Sequence, residues 1–415
     1  MKGPFTIHHS PFTIHPSLSR PLLVIFLTIF VNLVGFGIII PLLPFYAQTF
    51  GASPFTIGLL FASFSVSQLF ASPVLGDMSD RWGRRPVLII SLIGTAVSFA
   101  MLAVAGSLTM LFAARIVDGL SGGNITTARA YIADITTEEN RARAFGVLGA
   151  AFGLGFIVGP ALGGLFSHIS YTAPIWAAVA ITLVATALAW VWLPETVHRA
   201  HAGGSPWRAL AEVARRPNLR VLLGVDFVYW TAFAVYQTTF ALFGARRFGF
   251  GPAETGYLLS AFGFLSVIVQ GGLVGPIVSR LGERRTLAIG LLFAAMGWGG
   301  SALTHSIPVF VAMLVPGAIG IGLCNATLSA LISNASGTHE QGRVQGAAGG
   351  LESFGRTIGP VWGNGALQGL GEGAAYGSAA VVLLGAAALT LRYEPPPRPP
   401  IAPSSLSNLP TRSSS

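Results

Sequence analysis

The chain has 415 residues, 52% of them hydrophobic and only 9% charged, with a mean hydropathy of +0.68. A water-soluble domain of that composition would expose large apolar patches, which argues against a soluble globular protein. The net charge of +9 lies between apolar runs and in no nucleic-acid motif, so it points to an anionic membrane surface. A single cysteine, Cys324, excludes an internal disulfide and a thiolate zinc cluster, and reads as a small packing residue.

Residues 1–20 contain PFTIH twice and are expected to be a disordered tail. The first apolar run, from Pro21 to about Tyr46, is too long for a signal-peptide core and shows no small-residue cleavage site, so a retained membrane anchor is expected. Runs near 20 residues are what a helix needs to cross about 30 Å of hydrocarbon. Twelve such spans are predicted, at 22–46, 56–76, 86–106, 108–131, 144–167, 172–193, 219–244, 254–278, 287–305, 308–333, 344–369 and 375–392. The polar stretch 194–218, with Gly203, Gly204 and Pro206, divides a six-helix half at 21–193 from a second at 219–392. The Pro- and Ser-rich tail 393–415 is expected to be disordered. The predicted fold class is therefore an all-α membrane protein with twelve transmembrane helices.

With the N-terminus placed inside, nineteen Lys and Arg residues fall in inside segments and two, Arg246 and Arg247, outside. That split predicts both termini in the cytoplasm. One lysine against 23 arginines suggests a GC-rich bacterial genome, and hence an inner (plasma) membrane. The segment GDMSDRWGRRPVLII begins at position 76 and GPIVSRLGERRTLAI at position 275. Gly76, Arg81, Gly83 and Arg85 align with Gly275, Arg280, Gly282 and Arg284, and each segment joins the second span of its half to the third. The halves read as parallel repeats, which places a substrate site near mid-membrane between them.

The loop from Gly76 to Arg85 is dense in charge for so oily a chain. Gly76 and Gly83 are expected to permit a tight reversal, and Arg81, Arg84 and Arg85 to pair with nearby carboxylates. A simple positive-inside anchor accounts for the charge but not for the glycines or the second copy. The spacing G-x-x-x-D-R-x-G-R-R resembles the loop 2–3 signature of the major facilitator superfamily. The resemblance implies a conformational latch in which Asp80, Arg84 and Asp134 form a charge relay that meets the N-terminal end of span eleven. Gly275, Arg280, Gly282, Arg284 and Arg285 are its second copy.

Span five reads GVLGAAFGLGFIVGPALGG. Its Gly146, Gly155, Gly159, Pro160, Gly163 and Gly164 resemble the complete pattern of the drug/proton antiporters of that superfamily; the alternative is generic small-residue packing. The resemblance implies a bend at Pro160 and a seal against span eight. The stretches GFGIIIPLLP, SDRWGRRPVL, YIADITTEENRARAFG and RLGERR are similar to tetracycline efflux proteins. Where that group carries intramembrane acids in spans one, three and nine, this chain has Asn32, Ser98 and Ala294, and Ser266 replaces a histidine in span eight.

Ionisable residues inside a span are costly and mark function. Arg115 and Asp118 share one face of span four; they are read as proton-coupling residues or as a self-neutralising pair. The stretch RIVDGLSGG resembles the family's R-x-x-Q-G signature, with Asp118 at the Gln position. Glu352, read as a further proton-coupling residue, and Arg356 form an i,i+4 pair in span eleven, with Arg356 able to meet an anionic substrate group; an internal ion pair holding that span is the alternative. Asp226, in the aromatic run GVDFVYWTAF of span seven, is read as the leading proton carrier, the alternative being a residue at the cytoplasmic end that reaches water. Arg129, at the inner end of span four, is read as snorkelling. Asn32, Gln68, Asn124, Tyr229, Trp230, Tyr236, Gln237, Gln270 and Asn325 are candidate cavity residues; inter-helix hydrogen bonding is the alternative for each.

These readings predict a proton-coupled exporter of small amphipathic compounds or drugs, the alternative being a nutrient or metabolite importer or uniporter of the same superfamily. No hydrolase, metalloprotease or Walker A motif is present, so neither an enzyme nor an ATP-driven pump is expected. The expected partners are a small-molecule substrate, protons and the lipid bilayer. No cofactor, metal or nucleic acid is expected, and a monomer is expected to function.

Overall fold

The computed structural model describes residues 16–122, 124–136, 138–196, 216–335 and 341–393. The doubled PFTIH, most of the expected central loop and the Pro- and Ser-rich tail lie outside the described residues.

Every regular element among the described residues is a helix. They are α1 (Pro16–Gln48), α2 (Pro54–Trp82), α3 (Arg84–Ala103), α4 (Leu108–Ser121), α5 (Asn124–Ile135), α6 (Glu138–Ser167), α7 (Ala173–Trp192), α8 (Pro217–Phe248) and α9 (Pro252–Ile268). After a π-helical turn, Val269–Leu273, come α10 (Val274–Leu303), α11 (Ile307–Asn334), α12 (Gln341–Gly369) and α13 (Glu372–Arg392). Local chemistry sets several starts. The Ser53 hydroxyl accepts from Thr56 N–H at 3.2 Å with Pro54 at the first helical position, and Ser107 accepts from Met110 N–H at 3.3 Å.

Nine segments among the described residues are long and apolar enough to cross a membrane. One of them, Pro252–Leu303, crosses twice, because the chain turns at Gly282. α4 and α5 together make the fourth crossing and α12 the eleventh, giving twelve crossings. The fourth was predicted as one run; it breaks at Gly122, where Gln68 Nε2 donates to the Gly122 carbonyl at 3.2 Å and so satisfies an acceptor that the break frees. Large apolar side chains such as Phe70, Val191 and Leu303 are exposed on the outer surface, where hydrocarbon would cover them.

The charged reversals are tighter than expected. α2 and α3 are separated by Gly83 alone, at φ +107°, and the second copy turns on Gly282 at φ +77°. Only glycine takes such angles readily. Gly76 and Gly275 lie inside helices and do not form the turn.

Helices α1–α7 pack among themselves, as do α8–α13; the main seams between the two groups are α6 on α9 and α2 on α12. Both seams are tight at the face opposite Gly83 and Gly282. A Cβ on Gly256 would stand 2.4 Å from the Pro160 carbonyl oxygen, and one on Gly58 2.5 Å from that of Pro360. Ser260 Oγ donates to the Ile157 carbonyl at 2.6 Å, and Phe55 N–H to Gln368 Oε1 at 2.9 Å. Toward the arginine-rich face, Gly76, Gly146, Gly149, Gly271, Gly272, Gly346, Gly349 and Gly350 have open space where a Cβ would point. The two groups therefore close on the far face and part at the arginine-rich face.

Candidate functional site

Three charged sites emerge, two of them within the first group. The first is the turn at Gly83. Arg84 pairs with Asp80, donates through Nε to Asp134 Oδ2 at 3.0 Å, and reaches Ser79 Oγ at 2.9 Å. Asp80, Arg84 and Asp134 are thus in contact, with no bond from them to α12 among the described residues. Glu195, three residues beyond the end of α7, completes it. Its Oε1 accepts from Arg84 N–H at 2.9 Å, Arg85 N–H at 3.4 Å and Thr196 N–H at 3.0 Å. Helix N-termini leave such donors unsatisfied and favour a carboxylate. Arg81 pairs with Asp77 at 3.0 Å on the exposed surface.

The second copy keeps the geometry and changes the charges. Arg85 Nη2 donates to the Trp190 carbonyl at 2.5 Å; its repeat partner Arg284 donates through Nη1 to the Tyr393 carbonyl at 2.7 Å. Each arginine therefore ties the turn to the end of its group's last helix. Where the first copy has Arg84 on Asp134, the second has Glu283 accepting from Asn334 Nδ2 at 3.0 and 3.1 Å. Arg280 and Arg285 are exposed and make no ion pair among the described residues.

The second site is the buried pair of α4. Arg115 Nη1 donates to Asp118 Oδ2 at 2.7 Å, and the guanidinium lies 4.3 Å from the Phe64 ring centroid. Both residues are buried inside the first group, and Arg115 Nε has no partner.

The third lies within the second group, between α8 and α12. Asp226 on α8 is 2% exposed and its Oδ2 has no hydrogen-bond partner. Its electrostatic neighbours are Glu352 and Arg356 of α12, and the Trp230 indole one turn along interacts with the carboxylate. The expected Glu352–Arg356 ion pair is not formed, since no contact within 4 Å joins them. Arg356 instead lies over Trp230, 5.3 Å from the ring centroid, and Arg129 of α5, in the other group, is among its electrostatic neighbours.

The antiporter glycines divide their work. Gly155, Gly159 and Gly163 face Leu33, Val34 with Gly37, and Ile38 of α1, while Gly164 and the Pro160 carbonyl meet α9 at Ala253 and Gly256. Gly146 touches nothing, so this motif seals α6 to α1 as much as to span eight.

Several cavity residues are spent elsewhere. Gln68 bonds the broken span. Tyr229 Oη donates to Asn325 Oδ1 at 2.8 Å, joining α8 to α11. Tyr236 is buried within the second group, stacked on Trp298 at 5.0 Å. Trp230, Asn32 and Gln237 are half-buried and Gln270 is exposed in the π-helical turn. The side chain of Asn124 lies outside the described residues. Glu195 and Arg129 are the residues sequence reasoning missed or set aside. An acid directly after span six was the only signal for Glu195. Among the described residues no group of three or more His, Cys, Asp or Glu side chains is placed to hold a metal ion.

The family profile described as Major Facilitator Superfamily matches residues 25–360 and 232–413. The chain is 37% identical over 339 residues to the class G tetracycline resistance protein of Vibrio anguillarum, covering 79% of this chain and 85% of that one. It is 30% identical over 354 residues to multidrug resistance protein 2 of Bacillus subtilis (strain 168), covering 81% and 86%. Among solved structures it is similar to the human organic anion transporter MFSD10 (TETRAN), with a TM-score of 0.71 at 25% identity, over 91% of this chain and all of the other.

Proposed function

The chain belongs to the Major Facilitator Superfamily, a multi-pass transporter and not an enzyme, and from that premise we propose that it exports small amphipathic compounds in exchange for protons by alternating access. The names of its relatives, tetracycline resistance and multidrug resistance, support drug efflux. The observation that carries the proton-coupling reading is Asp226: a buried carboxylate with an unpartnered oxygen, inside the second group of helices, beside Glu352 and Arg356 of α12. Acids held inside a membrane in this way serve as proton relays.

In this reading residues 21–193 and 219–392 are two six-helix halves joined by 194–218, working as a monomer in an inner membrane. The arginine-rich face and both termini are cytoplasmic, so the cleft opens inward. Substrate enters from the cytoplasm or the inner leaflet. Closing the cytoplasmic side brings Asp80 toward the N-terminal end of α12, whose partial positive charge attracts a carboxylate. The seams at Gly58 and Gly256 then open on the outside, substrate leaves, and a proton taken up at Asp226 returns the transporter. Arg115 and Asp118 couple the first half to that movement.

The test uses energised everted vesicles and a dye that reports the pH gradient. Cationic dyes, phenicols, tetracyclines and sugars are added singly. A compound that collapses the gradient only with the protein present supports antiport, and Asp226→Asn is expected to abolish that collapse. Silence across the panel, with folded protein verified, would favour an importer or uniporter.

A further inference from the structure

The two charged turns differ in how one arginine is neutralised. In the first copy Arg81 pairs with Asp77, one helical turn before it, at 3.0 Å. At the aligned positions of the second copy, Pro276 stands for Asp77 and Ser279 for Asp80. Arg280, which aligns with Arg81, is exposed and makes no ion pair among the described residues. The groups around it are engaged elsewhere. Glu283 accepts from Asn334, and the Ser279 hydroxyl turns back on its own helix, donating to the Pro276 carbonyl at 2.9 Å. Arg285, three residues past the turn at Gly282, is exposed and adds positive charge.

Beside Arg280 runs a groove of about 440 Å³, lined by Leu273, Pro276, Ile277, Arg280 and Leu281. Leu273, Ile277 and Leu281 recur every fourth residue and so share one helix face. Leu273 and Leu281 are 48% and 41% exposed. Pro276 helps to place the groove: its ring nitrogen has no hydrogen to give to the preceding turn, and the helix widens just before it into the π-helical turn Val269–Leu273. Leu273 and Arg280 are roughly 10 Å apart along the axis at 1.5 Å per residue. The groove is thus apolar along its length and ends at a free guanidinium, two residues short of the turn where the crossing stops. A soluble anion would have no use for the leucines, and a neutral hydrocarbon none for the arginine.

We propose that this groove binds one anionic phospholipid from the leaflet that borders the arginine-rich face. Its phosphate takes the place beside Arg280 that the Asp77 carboxylate takes beside Arg81, and an acyl chain lies along Leu273, Ile277 and Leu281. A guanidinium fork suits a phosphate in two-point contact, and arginines at this level of a membrane draw anionic lipid. The first copy of the turn is neutralised from within the chain and the second from the bilayer. The site depends neither on the direction of transport nor on the substrate.

The test titrates the delipidated full chain, in detergent micelles, with phosphatidylglycerol or with phosphatidylcholine of the same acyl chains. Native mass spectrometry reads the first bound lipid. Phosphatidylglycerol is expected to bind about fivefold tighter, the scale of one arginine at an anionic surface. Arg280→Gln should remove that preference. Pro276→Asp should remove it too while keeping the arginine, because it rebuilds the internal partner that Arg81 has. Arg81→Gln, in the first copy, should leave the preference intact. Ile277→Ser should weaken both lipids alike and leave their ratio unchanged. Inorganic phosphate at millimolar concentration should not displace the lipid.

Equal affinity for the two lipids, a preference that survives Arg280→Gln or Pro276→Asp, or one that Arg81→Gln lowers as much would overturn the proposal. Displacement by inorganic phosphate would make the site one for a soluble anion, and unchanged binding in Ile277→Ser would take the acyl chain out of the groove; either result also overturns it. Should Pro276→Asp not fold, Arg280→Gln, on an exposed side chain, carries the same comparison.

Discussion

Glu195 does for α3 what no side chain of that helix does for itself. The residue before the helix is Gly83, which has no side chain to cap it, and the Glu195 carboxylate accepts two of that helix's backbone N–H groups, Arg84 and Arg85, in its place. Glu195→Ala should lower stability by about 1 kcal/mol, as loss of an N-cap does, whereas Glu195→Gln, which keeps an acceptor, should lose less; thermal unfolding in detergent measures both. The buried Arg115–Asp118 pair is a different case. Asp118→Asn alone leaves a guanidinium uncompensated and should cost about 3–5 kcal/mol. The double variant Arg115→Met with Asp118→Leu should regain most of that stability and still fail to transport. Comparing unfolding with vesicle transport separates the two roles; a double variant that transports normally would make the pair a packing device. Asp226 can be picked out from its own neighbours, because a lone acid among aromatics needs no tertiary knowledge to stand out. Glu195 cannot, because the chain separates it from Arg84 by 111 residues and only folding sets its carboxylate on that helix end.

At the scale of elements, the spans are readable because hydrocarbon thickness imposes a length on every one of them. Their interruptions are less so. The break in span four depends on Gln68 of another helix, and the polar run SRLGERR marks the turn at Gly282 without showing that one residue makes it. The helix pairings depend on which glycine meets which backbone. Gly58 and Gly256 hold the two far-face seams, where an added methyl has no room. Gly58→Ala and Gly256→Ala should therefore disfavour the state seen here. A cysteine placed at Phe55 should react faster with a membrane-impermeant thiol reagent in either variant, by a few-fold or more; unchanged rates would mean that the seams yield without opening.

At the scale of the whole molecule, the two charged turns share a shape but not a chemistry. The first is tied across to its neighbouring helix by an arginine on a carboxylate, the second by an asparagine amide on a carboxylate. Salt screens an ion pair more than a hydrogen bond in which only one partner is charged. Raising salt from 0.05 to about 0.5 M should thus loosen the turn at Gly83 more than that at Gly282. Hydrogen exchange over the peptides that contain Arg84 and Glu283 reports the difference, and equal loosening would show that the Arg84 cluster is shielded from ions.

The glycines that stand in open space toward the arginine-rich face have a consequence for how variation in this protein is scored. Gly146, Gly149, Gly271 and Gly272 support nothing in the conformation described, so a survey of substitutions ranked by folded yield would rate them as freely replaceable. A survey ranked by survival under drug would rate them among the least replaceable if those empty surfaces meet when the cleft shuts. The disagreement between the two rankings, position by position, would trace the surface of a conformation that has not yet formed.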